Sequence, residues 1–373
     1  MKINSQKGIL ILTPFFFPNI GGVETHLTDL VNGLSDLNYS VYVHTYSPLT
    51  TPNVDWKSKE KINNINIYRY RWFGKNLFHK VEKYPLLDFL YLTPYLCLRT
   101  FFWMFFNHQK ITTINSHGFN GAVAGNILAF FFRKKHVTST HALYDNHSNS
   151  LTAKLTHFVL NRTDMVLAQS VHSKNQLINW GVNSKKISLY RYWIDPQKFN
   201  NKKSNISSSK FKVLFVSRLI IKKGTRIIIK LAKKLPNVEF TIIGSGPESK
   251  YISQQKLLNV NFLGKIDNYK LLDYYSTANV FIQPALYQEG FTRTIMEAVA
   301  SGLPVIASDI GTIPEIVDKS VSILVKPTVE NFKSAILRLK NDKILLNQMK
   351  NNCSSYTKKY FHINNIKLII KHY

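Results

Sequence analysis

Short apolar runs of strand length recur along the chain, each followed by a stretch with helical periodicity. Gly8–Thr13, Ser40–Thr45, Ile65–Tyr70, Ile111–Gly118, Lys135–Thr140 and Thr163–Ser170 are the first set. Between the first two, Leu27, Leu30, Val31 and Leu34 fall on one face of a helix expected over Val23–Leu37. Runs buried on both faces and separated by helices predict parallel strands in right-handed βαβ units. The polar stretch Asn200–Lys210 lacks periodicity and reads as a linker, after which the alternation restarts at Phe211–Ser217, Val238–Ile243, Asn261–Ile266 and Asn279–Pro284. The fold class is therefore α/β, with two doubly wound, Rossmann-like parallel-sheet domains at 1–195 and 211–355 and a linker at 196–210. Residues 50–66 look polar and irregular.

One segment departs from this rhythm. Tyr84–Phe106 is almost wholly apolar and has the length of a membrane span, but Asp88, Pro94 and Arg99 interrupt it. It is open to three interpretations: a span, a buried helix of the first domain, or a helix laying an aromatic face on a bilayer with Lys75, Lys80, Lys83 and Lys110 nearby.

Composition narrows the function classes. The 373 residues carry 49 basic against 21 acidic side chains, a formal net charge of +28. Nucleic-acid binding would gather such charge on one element, whereas here it is spread through both halves, so no nucleic-acid partner is expected. Contact with an anionic membrane, or coding bias toward lysine, accounts for it better. The two cysteines, Cys97 and Cys353, lack metal spacing and suit a reducing compartment. Met1–Lys7 leads into a strand and not a signal peptide, so the expected location is cytoplasmic, with peripheral contact on the inner face of the cytoplasmic membrane left open.

Candidate chemistry lies where strands give way to loops. Glu289 and Gly290 follow the strand ending at Pro284, and a helix is expected over Thr294–Ser301, which puts Glu297 about one turn inside it. The backbone amides of such a loop and helix start suit a diphosphate, and the carboxylates suit sugar hydroxyls. Arg218, with Lys223 before Gly224, brings cations to another strand end, where a leaving phosphate would gain charge. Gly21 and Gly22 open the first helix, and His117 and His141 stand at two strand ends of the first domain.

Taken together, Glu289-Gly290-Phe291-Thr292 through Glu297, with Ser308–Ile316 after it, resembles the signature of the family 4 (group 1) retaining glycosyltransferases. Gly21-Gly22-Val23-Glu24-Thr25-His26, Arg218–Gly224, Gly244-Ser245-Gly246-Pro247 and Asn261–Ile266 are similar to further motifs of that family. The resemblance covers nearly the whole chain. It implies a GT-B type fold with two domains facing a cleft, the acceptor domain first, the nucleotide-sugar domain second, and a final helix, 356–373, returning to the first. It implies metal-independent transfer of a sugar, with retention, from a nucleotide-diphosphate sugar to a saccharide or lipid-linked saccharide, as in bacterial polysaccharide or lipopolysaccharide assembly. No cofactor beyond that co-substrate is implied. By the same resemblance Arg218 and Lys223 would hold the diphosphate with the amides around Phe291 and Thr292. Glu297 would accept from ribose, Glu289 from the sugar, and His141 would touch the sugar. Gly21, Gly22, Gly244, Gly246, Lys265, Ile266 and Gly290 would border the nucleotide. Asn115 departs from the family's usual histidine, as do Tyr192 and Trp193 from its Asn-Gly. A sugar-nucleotide epimerase of the same fold and a basic nucleic-acid-binding protein are the alternatives.

Overall fold

The computed structural model describes residues 8–51, 53–74, 77–81, 84–141, 150–195, 199, 210–267 and 270–373. Lys75, Lys83, Met1–Lys7 and most of the expected linker lie outside them. Contacts divide the chain into two units, Met1–Tyr192 with Asn364–Tyr373, and Trp193–Ile363.

The first unit holds an eight-stranded sheet. Its strands are β1 (Gly8–Leu12), β2 (Ser40–Tyr46), β3 (Lys59–Ile62), β4 (Ile65–Tyr70), β5 (Thr113–His117), β6 (Lys135–Ser139), β7 (Met165–Ala168) and β8 (Ile187–Leu189). The order is β3-β4-β2-β1-β5-β6-β7-β8, parallel throughout except for the β3–β4 hairpin. The chain thus winds outward both ways from β1, and the switch point falls between β1 and β5. β1 and β5 are buried along their whole length: β1 is apolar throughout, whereas β5 has one isoleucine among polar residues and satisfies Asn115, Ser116 and His117 by side-chain hydrogen bonds.

Three findings differ from the sequence expectation here. Residues 50–66 are not wholly irregular: Lys59–Ile62 pairs antiparallel with β4 across an Asn63-Asn64 turn, with Asn63 at φ +50°. An exposed edge strand of charged residues carries no apolar alternation, so only the asparagine pair marked it. The apolar segment is two helices, Pro85–Leu92 and Pro94–Asn107. Pro94 has no N–H to continue the first helix and instead starts the second. A further helix, Leu151–Leu160, is capped by the Ser150 hydroxyl, which accepts from the Ala153 N–H.

The second unit is a six-stranded, all-parallel sheet of β9 (Phe211–Val216), β10 (Val238–Ile243), β11 (Val260–Gly264), β12 (Val280–Gln283), β13 (Val305–Ser308) and β14 (Ser322–Val325). Its order, β11-β10-β9-β12-β13-β14, places the switch point between β9 and β12. Helix Thr225–Lys234 buries Ile228, Ile229 and Leu231 against the strands, while its lysines stay on the outer face. At the C-terminus a single helix over 356–373 is not what forms. Helix Lys343–Tyr360 stops before Phe361, whose carbonyl accepts from the Ile194 N–H, and a turn at Ile363–Ile366 leads to a short helix, Lys367–Ile370.

Gly244 shows how tightly the strand ends of the second unit are packed. It sits at φ +139°, and a Cβ on it would stand 1.8 Å from the Ser217 carbonyl oxygen. Gly302, at φ +79°, has open space around the same position. Gly302→Ala should therefore cost about 1–2 kcal/mol for its backbone alone. Gly244→Ala should cost clearly more, because strand β9 must shift as well. Urea midpoints of the two variants check the ranking.

Candidate functional site

In the second unit the expected site residues gather at one edge, the C-terminal ends of the strands. Lys223 ends a one-turn helix after β9, and Glu289 stands in the loop after β12. Their side chains form an ion pair in which the lysine is 13% and the glutamate 4% exposed. The other Glu289 oxygen accepts from Gln283 Nε2 at 2.8 Å, and the Thr292 hydroxyl donates to Oε2 at 3.1 Å. The carboxylate is thus filled from within by three donors. Gly224 lets the two loops meet: at φ +80°, its Cβ position lies 1.9 Å from the Pro284 carbonyl oxygen. From β13, the Thr312 hydroxyl donates to the carbonyls of Gly290, at 2.7 Å, and Glu289, at 3.0 Å.

The Thr292 hydroxyl is turned toward Glu289, and helix Arg293–Ala300 starts without a side-chain cap. Its first-turn amides keep the partial positive charge that draws an anion. Glu297 is buried one turn further on, where it accepts from Arg293 Nε at 3.0 Å and the Tyr275 hydroxyl at 3.1 Å. Burial, with the Glu297 charge, pushes the Tyr275 hydroxyl well above its usual range, so it remains a donor. Arg218 emerges just past β9, exposed and with no carboxylate partner among the described residues. Gly244 and Gly246 follow β10, with the Leu219 N–H donating to the Ser245 carbonyl between them. Lys265, exposed, and Ile266, half-buried, follow β11, and Gly290 and Phe291 are half-buried beside the helix start. Gln283, Tyr275, Arg293 and Thr312 were missed in the sequence. Only Arg293, four residues before Glu297, left a legible trace there.

The first unit has its own polar cluster at the ends of β5 and β6. His117 Nδ1 lies 2.9 Å from His141 Nε2, and His141 Nδ1 lies 2.8 Å from the Tyr192 hydroxyl and 3.0 Å from Gln169 Nε2. Burial holds both rings neutral, lowering His141 to about 3 and His117 well below its ordinary value, with His141 adding to the effect on His117. Gln169 and Tyr192 both have a proton to give, so His141 Nδ1 accepts. Its proton then sits on Nε2 and is donated to His117 Nδ1, which leaves the His117 proton on Nε2. That nitrogen is buried and has no hydrogen-bond partner among the described residues. His141, the residue expected to meet a sugar, spends both nitrogens on protein, and His117 presents the open one.

Tyr192, a departure from the family pattern, is thus the partner of His141, and His26 stacks on it with ring centroids 3.7 Å apart. Asn115, the other departure in this unit, accepts from the Tyr373 hydroxyl at 3.0 Å. Gly21 is extended and leads into helix Gly22–Asp36. Glu24 folds over it, with a carboxylate oxygen 2.2 Å from where a Cβ on Gly21 would stand, so an anion would meet that carboxylate first.

Two family models match the chain: "Glycosyltransferase Family 4" over residues 20–198 and "Glycosyl transferases group 1" over residues 196–359. One subunit of the human phosphatidylinositol N-acetylglucosaminyltransferase is 26% identical over 89% of this chain and 69% of its own length. Among solved structures, sucrose-phosphate synthase of Thermosynechococcus elongatus superposes with a TM-score of 0.79 at 20% identity, over 98% of this chain and 97% of that one. HepE of Anabaena in complex with UDP-glucose gives a TM-score of 0.77 at 18% identity, over 98% of both chains. These likenesses show a GT-B fold of two parallel-sheet α/β domains.

Two outcomes test these clusters. Lys223→Met strands the Glu289 charge out of water and should cost about 3 kcal/mol or more, most of it recovered in the double variant Lys223→Met, Glu289→Gln. Thermal melts of the four proteins of that cycle read the coupling directly. The second outcome concerns acid. His44 and His136 are buried and lowered to about 3, and His117 is lowered too. The unfolded chain takes up these protons near pH 6.5 and the folded unit does not, so stability is complete above 6.5 and falls as pH drops toward 3. At pH 5 each such histidine should cost about 2 kcal/mol. Melting between pH 7.5 and 5 measures the slope, which His136→Asn should reduce.

Proposed function

The chain belongs to the group 1, family 4 glycosyltransferases, and from that premise we propose that it moves a sugar from a nucleotide-diphosphate donor to a hydroxyl of a lipid-carried acceptor, with retention and without a metal. The observation that carries the donor half is the strand-end edge of the second unit. There an exposed Arg218, with no carboxylate partner among the described residues, shares one rim with glycine-lined loops and the uncapped start of helix Arg293–Ala300. Such a rim answers a diphosphate with a full charge and several N–H donors fixed in advance. The UDP-glucose bound to the HepE neighbour supports a uridine donor as the first to try.

In this proposal the bond from the anomeric carbon to the β-phosphate oxygen breaks as the acceptor oxygen bonds to the same face of that carbon. The acceptor's proton passes to the leaving phosphate, so no protein nucleophile is required. Arg218 meets the charge that builds on the phosphate, which is the work a metal would otherwise do. Lys223 and Glu289, already neutralising each other, fix the loop and can turn toward the diphosphate and the sugar hydroxyls. Glu297 shapes the helix through Arg293 and Tyr275 and is placed for the ribose side. In the first unit, His117 Nε2 offers an N–H to a hydroxyl oxygen.

For the acceptor, the human relative's name, which is that of a phosphatidylinositol N-acetylglucosaminyltransferase component, supports a lipid-carried hydroxyl. Peripheral membrane association follows from such an acceptor and agrees with the +28 charge. Assembly of a bacterial cell-surface polysaccharide is one setting of this chemistry, and the relative's name does not favour it.

A thermal-shift series with UDP-, GDP- and ADP-sugars in chelator should show stabilisation by one base class. Arg218→Ala should weaken it by about 10- to 100-fold in Kd, the worth of a charge-assisted hydrogen bond. Proton NMR of the product should show the donor's anomeric configuration kept. An inverted product, or binding that needs a divalent metal, overturns the corresponding part of the mechanism.

A further inference from the structure

The helices Pro85–Leu92 and Pro94–Asn107 are apolar on both sides. Their inner side is core, with Tyr91, Leu92, Leu96 and Met104 buried. It is also tied to the sheet, since the Tyr46 hydroxyl donates to the Leu92 carbonyl and accepts from the Leu96 N–H. Their outer side carries Leu87, Leu90, Leu98, Phe102, Phe105 and Phe106, all more than half exposed; with exposed Pro94 in the gap they recur every three or four residues as far as Phe105, and Phe106 lies four after Phe102. A helix on a protein surface ordinarily keeps polar residues at those positions. The stripe widens onto helix Gly118–Phe132. There Phe131 meets Phe101 edge-on at 5.4 Å, and Phe130 is 80% exposed. A continuous apolar patch of this kind marks a docking surface.

Beside the stripe, between helix Pro94–Asn107 and the β3–β4 hairpin, lies a cavity of about 550 Å³ walled by Lys59, Tyr68, Tyr70, Arg99, Phe102 and Trp103. The Arg99 guanidinium lies 5.0 Å from the centroid of the Tyr70 ring, which fixes the cation without neutralising it. Among the described residues neither Arg99 nor Lys59 has a carboxylate partner, whereas Arg69 on the same hairpin is paired with Glu60 at 2.7 Å. A lysine on an edge strand can serve only to discourage strand pairing. An arginine held against an aromatic wall facing it, in the same recess, calls for an anion. Phe102 belongs to both the cavity and the stripe, so the anion and the apolar medium are contiguous. Exposed Lys110, Arg133 and Lys135 lie just beyond the C-terminal ends of the two helices, which His108 and Phe132 join by stacking at 5.7 Å.

We propose that this cavity holds the phosphate of an anionic membrane lipid while Phe102, Phe105, Phe106 and Phe130 enter the apolar layer beside it. The helix pair lies on the membrane and does not cross it, because its inner face belongs to the core. A second copy of the chain is a poor occupant, since it would bring the same cations against these. The inference deepens the membrane part of the proposed function by naming the surface and the class of ligand.

Co-sedimentation with vesicles of phosphatidylcholine, with and without phosphatidylglycerol, tests it. Wild type should bind the anionic vesicles. Replacing Phe102, Phe105 and Phe106 by Ser should abolish binding to both kinds. Arg99→Gln with Lys59→Gln should weaken binding to anionic vesicles on the order of ten- to thirty-fold. Lys230→Gln with Lys358→Gln, two exposed lysines of the other unit, should change it little. Equal losses in the two charge pairs overturn the phosphate pocket. Stabilisation by inorganic phosphate that needs Arg99, without vesicle binding, assigns the pocket to a soluble phosphate and overturns the lipid. A wild-type dimer that the serine variant dissociates, again without vesicle binding, assigns the stripe to a second copy. Donor-sugar stabilisation, measured on each variant, shows that the fold survives and reports the transferase reading separately.

Discussion

A lysine and a glutamate carried by two adjacent strands meet almost out of water at the end of the second sheet. Neither charge could be left there alone, so Lys223 and Glu289 oblige the loops after β9 and β12 to close on each other. That closure has a backbone requirement, met by Gly224, and a side-chain accompaniment: Thr292 turns to Glu289, and the next helix starts uncapped. The uncapped helix start stands near Arg218, which has no carboxylate partner among the described residues. The anion-seeking character of this rim is therefore not a property of one residue. It arises because the acidic groups nearby have been satisfied from inside, which leaves positive charge in excess where the strands end.

The parts legible in the sequence were those that physics repeats. Buried parallel strands are usually apolar on both faces, so β1, β9 and β12 could be placed from runs of isoleucine, leucine, valine and phenylalanine. Arg218, Lys223, Glu289 and Glu297 stood out because charged residues at strand ends and helix starts are few. What escaped was pairing. Nothing in the order of residues says that Gln283 and Thr292 will complete Glu289, or that Tyr275 will reach Glu297 from another helix. β3 escaped because an exposed edge strand needs no apolar face. The C-terminal break at Phe361 escaped because the Ile194 N–H that holds its carbonyl is remote in sequence.

The long apolar segment shows the same limit from the other side. Its composition allowed three fates, and the sequence does not say that one face of the helices is buried while the other is exposed. One face is committed to the core beneath β2 and β5, so the apolar face turned outward has to be explained by what it meets. Where an ordinary surface helix would dissolve such a face in polar residues, this one adds phenylalanines along it.

The hydrogen bonds that run from Gln169 through His141 to His117 have a direction. Each ring is held in one tautomer by the donor behind it, so the series behaves as a fixed dipole and not as a wire along which a proton can travel either way. Its far end, the buried His117 Nε2–H, is positive without carrying a charge. A group with oxygen lone pairs finds an attraction there that neither salt nor a modest change of pH would screen away, whereas an ammonium finds none. Selection at that end is by polarity: it favours an atom with a lone pair over a cation, while the two rings themselves carry no charge.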